Sequence, residues 1–368
     1  MMNLRTAERI SAATPATRER YVDLLRAFSI IVVVFGHWLL AVVTWDGQGF
    51  RGENALSSIP WTRRLTWFLQ VMPLFFFVGG FSNYTSWRKR PSAGTFIRSR
   101  FARLLKPLAV FAGTWAVMAA AMLLGGVPVE QVGLLLAVVA IPLWFMWVYL
   151  VVIALAPVAI RAHERFGVRV PVALSIAALA VDIASRVMDI PVIGLLNFVL
   201  VWAVPHQLGL FYADGSLARA GRATYKRLAV WGLGTLVLVT QLGLYPVSMV
   251  GVPGAPASNN SPPSAALIAL SCWLIGAAML LRDPVSRWLQ RPRVWGLTVG
   301  VNLVIMTAYL WHMTALILGA LVLLPLGWPA PEVGTGTWWL ARIPWVAVLT
   351  LVLTGFIQGF ARFERARM

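Results

Sequence analysis

Long apolar stretches recur along the whole of this chain, and they leave little choice of fold. Ten of them read as helices, at roughly 23–44, 66–87, 106–124, 133–157, 170–188, 192–212, 226–247, 264–281, 297–324 and 338–360. Each is close to the ~20 residues an α-helix needs to cross about 30 Å of hydrocarbon. Lipid offers no partner for a backbone N–H or C=O, so an apolar span must satisfy its own and becomes helical. The 368 residues are 59% hydrophobic and only 12% charged, too apolar for soluble domains. The expected fold is all-α: a polytopic membrane protein of about ten transmembrane helices. Eighteen Trp suit such a chain, because Trp favours membrane interfaces. Pro and Gly punctuate the connections: GGVP precedes the fourth span, DIP the sixth and GVPGAPASNNSPPS the eighth.

The charges set a direction. Of 31 Lys and Arg, 25 fall in the N-terminal tail, the even-numbered loops and the C-terminus. The other side carries Arg51, Arg63, Arg64, Arg342 and Arg186, and Arg26 lies inside the first span. This asymmetry predicts that both termini are cytoplasmic, which requires an even number of spans. The expected location is the plasma (inner) membrane, multi-pass. The net charge of +18 therefore does not point to nucleic acid, since the basic residues sit in short loops between apolar segments. Residues 1–21 are polar and lack a signal-peptide core, so they read as a cytoplasmic tail. Residues 22–361 read as a single transmembrane domain and 362–368 as a second tail, with no soluble domain and no inverted repeat expected. The single cysteine, Cys272, excludes an intrachain disulfide and lies in an apolar run without a nearby base.

The chemistry begins in the first span, in YVDLLRAFSIIVVVFGHW, residues 21–38. Arg26 and His37 are eleven residues apart, about three turns, so they share a face about 16 Å from end to end. Asp23 lies on that face too. An ionisable residue within a span is costly unless it faces the bundle interior or a water-filled cavity. The plain structural alternative is a histidine donating to a carbonyl and an arginine snorkelling to headgroups. The functional reading makes neutral His37 a general base and Arg26 a fork for phosphate oxygens at the cytoplasmic mouth. Acyl-coenzyme A fits that pair, with phosphates at one end and a thioester at the tip of a long arm.

A second stretch agrees. MPLFFFVGGFSNYTSWRKR ends the second span and FIRSRFARLLKPL opens the third. Pro73 and the Gly79–Gly80 pair break a helix or let backbones approach closely. Ser82, Asn83 and Tyr84 add polar groups. Arg100, Arg103 and Lys106 recur at three-residue spacing along one helical face, which favours phosphate binding. Arg88, Lys89 and Arg90 are better explained by positive-inside bias and anionic lipid.

Four further motifs join the Arg26–His37 spacing: PLFFFVGGF, RSRFARLLKP, LWFMWVYL and AYLWHM. Together they resemble the acyltransferase-3 family of integral membrane acyltransferases, over residues 20 to about 320. The resemblance implies ten core helices and transfer of an acyl group, acetyl the expected one, from cytoplasmic acyl-CoA (acetyl-CoA) to a hydroxyl of a sugar or lipid-linked glycan. It implies His37 as the catalytic histidine and Arg26, Arg103 and Arg100 in donor binding or catalysis. Acyl-CoA is a co-substrate, and no bound cofactor is expected. Many relatives have Ser-Gly-Phe where this chain has Gly79-Gly80-Phe81, so no serine role transfers. Some carry an extracytoplasmic hydrolase-like domain; this chain reads as the form without one, which leaves room for a separate extracytoplasmic partner enzyme.

Other polar residues are candidates for support. His312, with Tyr309 one turn earlier, could orient the acceptor or stabilise charge on the thioester oxygen. His206 could help line the donor cavity. For both, a hydrogen-bonded packing histidine is the plainer reading. Asp182 and Arg186, four apart, are expected to pair, and His163 is expected to be solvated in a basic loop. No metal site is expected from four scattered histidines. The acceptor is open between envelope glycan, glycolipid and a diffusible small molecule such as an antibiotic. The rival class is a non-enzymatic anion or solute transporter.

Overall fold

The computed structural model describes residues 4–47, 49–89 and 92–364. Arg90, Arg365 and Arg367, counted above among the loop charges, lie outside the described residues. Helices α1 (Leu4–Ala12) and α2 (Arg20–Leu40) lead into a hairpin of β1 (Ala41–Trp45) and β2 (Phe50–Asn54), then α3 (Met72–Lys89) and α4 (Ala93–Leu124). There follow α5 (Val129–Ala140), α6 (Trp144–Phe166), α7 (Arg169–Arg186), α8 (Asn197–Ala213), α9 (Ser216–Gln241) and α10 (Ala266–Trp288). The last three are α11 (Pro292–Asn302), α12 (Ile305–Leu323) and α13 (Gly336–Glu364).

Among the described residues, eight helical stretches are long and apolar enough to cross a membrane: those containing α2, α3, α4, α5 with α6, α8, α10, α12 and α13. The fifth and seventh expected spans are helical, as α7 and α9, but fall outside that set. α7 carries Arg169, Asp182 and Arg186. α9 opens with four basic residues and breaks at Gly221, whose φ of 74° suits glycine.

Several boundaries differ from expectation: α4 starts at Ala93, the fourth span is broken between Ala140 and Trp144, and α9 starts at Ser216. The first span stops at Leu40, because the β-branched run after it pairs with Phe50–Asn54 in register Ala41 to Asn54. The ninth span is two helices. Val304 leaves helical geometry, and the free N-terminus of α12 is capped by Glu364, which accepts from the backbone N–H groups of Met306 and Thr307 at 2.9 Å each. A carboxylate there satisfies orphan donors and meets the positive end of the helix dipole. The N-terminal segment is folded rather than a loose tail. α1 packs on α11, Thr14 accepts from the Trp295 indole at 2.7 Å, and Arg18 lies over that ring at 5.4 Å.

The chain divides into two compact units. The first comprises Met1–Ser29, Trp61–Ile97 and Val148–Asn302, the second Ile30–Pro60, Arg98–Trp147 and Leu303–Met368. In the first unit, α3 and α8 touch backbone to backbone through Gly80 and Gly209. A Cβ on Gly80 would run into the His206 carbonyl, and one on Gly209 into that of Phe77. This is why PLFFFVGGF needs glycine: small residues let spans close where lipid supplies no hydrophobic drive. Phe76 stacks on Trp202 beside this contact, with centroids 5.1 Å apart. Gly80→Val should cost about 3 kcal/mol or more, read as a large fall in thermal midpoint in nanodiscs. An unchanged midpoint would refute the close approach. The second unit holds the hairpin, whose Val42 clusters with Ala55, Ile59 and Trp338.

Candidate functional site

The second unit brings His37 and His312 together. His37 occupies the last turn of α2, and His312 the middle of α12, where every residue from Thr307 to Leu316 is buried. Large side chains fix this arrangement. Trp38, fully buried, donates to the His312 carbonyl at 2.9 Å and so ties α2 to α12. Trp115 donates to the Thr314 hydroxyl at 3.0 Å, Phe111 packs edge-on against Trp311, and Phe360 stacks on it. The Tyr309 hydroxyl donates to the Pro142 carbonyl, so Tyr309 anchors α12 and its proton is already committed.

Hydrogen-bond accounting then assigns the tautomers. His312 Nδ1 lies 2.6 Å from the Tyr309 carbonyl, and His37 Nδ1 lies 2.8 Å from that of Val33. A carbonyl only accepts, so each Nδ1 carries the proton and each Nε2 is a bare lone pair. His312 Nε2 sits 3.3 Å from His37 Nδ1, with the rings 5.1 Å apart. The Nδ1–H of His37 is therefore shared between two acceptors. Its Nε2 has no partner among the described residues, and the residue is half-buried while His312 is fully buried. Chemically, the pair can accept a proton at His37 Nε2, with the other nitrogen held from behind. If His37 gains a proton at Nε2, the new charge delocalises onto an Nδ1–H that already faces a carbonyl and an imidazole lone pair.

The first unit holds most of the remaining candidates, in separate groups; Arg100, Arg103 and Lys106 lie in the second. Asp23 pairs with Arg18 at 2.7 Å and Arg26 at 3.6 Å, and Arg26 donates to the Ser82 hydroxyl at 2.8 Å. Arg26 thus has a fixed base and a partly exposed head. Asn83 donates to His206 Nε2 at 3.1 Å, and both are buried. They bond each other beside the Gly80–Gly209 contact, while the buried Asn83 Oδ1 has no partner among the described residues. Asp182 and Arg186 form their ion pair at 2.8 Å, and Asp182 also accepts from the Tyr245 hydroxyl at 2.8 Å. This network ties α7 to the connection before α10.

His163 is not solvated as expected. α6 runs on to Phe166, which carries His163 into contact with Phe211 and within 2.9 Å of Asp214. Burial pushes the Asp214 carboxyl up, but hydrogen bonds from Ser216 and His163 outweigh this and leave it below the ordinary range. Nothing local in the sequence signals a pair 51 residues apart. On α4, Arg100 is half-buried while Arg103 and Lys106 are exposed. No carboxylate pairs with Arg103 or Lys106 among the described residues, so both cations are available to an anion.

These features define a multi-span membrane protein with a hydrogen-bonded histidine pair on two of its helices. The chain matches the model of the acyltransferase domain family, acyltransferase-3, over residues 19–358, and it belongs to that family. It is a membrane acyltransferase. Comparison with curated proteins and with solved structures gives no match.

Proposed function

We propose that the protein moves an acyl group, acetyl the expected one, from cytoplasmic acyl-CoA to a hydroxyl of a cell-envelope glycan or glycolipid. The protein lies in the plasma membrane with both termini cytoplasmic, a topology supported by the basic loops. The observation that carries the reading is the bare Nε2 of His37, with its Nδ1–H held by Val33 and His312. The acceptor oxygen attacks the thioester carbonyl as His37 Nε2 takes its proton. An ester C–O bond forms, the C–S bond breaks, and the proton passes to the departing thiolate, which leaves as coenzyme A. A positioned base supplies about 10²–10⁴-fold, and alignment of the two substrates supplies much of the rest. Arg26 holds donor phosphates, and on α4 Arg100, Arg103 and Lys106 supply a further set of cations for anionic groups. Asp23 supports the reading by fixing the Arg26 side chain.

The test is coenzyme A release from acetyl-CoA by the protein in nanodiscs, with glycan, glycolipid and small-molecule acceptors compared. A hydroxylated envelope glycan should stimulate release. Stimulation by diffusible small molecules alone would shift the acceptor class, and no release with any acceptor would defeat the reading. Arg26→Gln should raise KM for acetyl-CoA about tenfold by removing one charged hydrogen-bond partner of phosphate. An unchanged KM would remove Arg26 from the donor site.

A further inference from the structure

A cleft opens in the second unit where α2 gives way to the hairpin. Val42, on β1 and five residues beyond His37, lines it together with Trp328, Trp338, Trp345 and Arg342. Trp338, Arg342 and Trp345 are spaced four and three along α13, so they share one helical face. Trp328, from the connection before α13, brings its ring centroid to 5.9 Å from that of Trp345.

Two features of this cleft are unexplained by packing. The Arg342 guanidinium lies 4.3 Å from the Trp338 ring centroid, and no carboxylate pairs with it among the described residues. An arginine held on an indole face keeps its fork of donors free for a planar or phosphate anion. Trp345 is 4% exposed, and its indole N–H has no hydrogen-bond partner. A buried donor left unmatched is costly, and such donors commonly mark a missing acceptor.

We propose that this cleft binds the acyl acceptor, and that the acceptor is an anionic sugar. Its ring lies against the half-buried Trp328 indole, and its carboxylate or phosphate pairs with Arg342, which is held on the Trp338 face. A ring hydroxyl meets the Trp345 N–H. The cleft begins on the strand that follows the last turn of α2, so a sugar bound there lies at the His37 end of that helix. The identity of the ligand as acceptor rests on the acyltransferase reading above; the anionic-sugar site itself does not.

The experiment measures binding by calorimetry to the full chain in phosphatidylcholine nanodiscs, with methyl glucuronide, glucose 1-phosphate and neutral methyl glucoside as probes. At least one anionic probe should bind ten or more times tighter than the neutral one, and the tighter of the two tells a ring carboxylate from a sugar phosphate. Arg342→Gln should erase the difference, Arg342→Lys should keep part of it, and Trp328→Leu should weaken all three probes together. Equal wild-type affinity for all three overturns the proposal whether or not the variants fold. So does discrimination that survives Arg342→Gln. Displacement of every probe by phosphatidylglycerol in the disc would also overturn it, by assigning Arg342 to a lipid headgroup. Acetyl-CoA binding in the same discs reports on the donor reading separately: sugar discrimination without acetyl-CoA binding keeps the cleft and sinks the donor.

Discussion

Replacing His37 by Gln is expected to lower the acyl-transfer rate about 10²–10⁴-fold while leaving acetyl-CoA affinity within a factor of two or so. Gln keeps the size and a hydrogen-bonding amide, so the Val33 carbonyl can still be matched and α2 should fold. It has no lone pair of comparable basicity where His37 presents Nε2. The effect should therefore fall on kcat. The measurement is steady-state coenzyme A release alongside calorimetric donor binding. Retention of more than a tenth of wild-type kcat would show that another group takes the proton.

The second large effect is expected at His312, which on the proposed reading is a positioning residue that acts through His37. Its Nε2 accepts from His37 Nδ1–H at 3.3 Å. That bond strengthens when His37 becomes charged, so losing it should cost the transition state more than the ground state. His312→Phe fills much of the same volume but accepts nothing, and kcat should drop about 30-fold, roughly 2 kcal/mol for a hydrogen bond to a charged group. His312→Gln offers an amide oxygen and should recover part of the loss. A purely structural role would instead lower stability in both variants and show no such rescue. Equal kcat in the two variants, or a change confined to KM, would contradict the proton-holding role.

Much of the fold could be read directly because membrane spans are a local property. Apolar length alone located helices at all ten expected places, and the Arg26–His37 spacing put a charged group and a base on one helix before any coordinates. What escaped depended on distant partners. The first span looked longer than it is because Ala41–Trp45 continues the apolar pattern, and only its pairing with Phe50–Asn54 makes it a strand. The break in the ninth span was invisible because its cap, Glu364, is 58 residues from Met306. The His37–His312 contact joins residues 275 apart, and no periodicity within either helix announces it. The unmatched guanidinium of Arg342 counted, in the sequence, as one more charge on the sparse side.

The Glu364 cap has a practical consequence for anyone handling this enzyme. The helix that holds His312 is moored at its start by the last described turn of α13, through the Glu364 carboxylate. Shortened versions should therefore keep Glu364: trimming past it would unclip the start of the helix that carries His312.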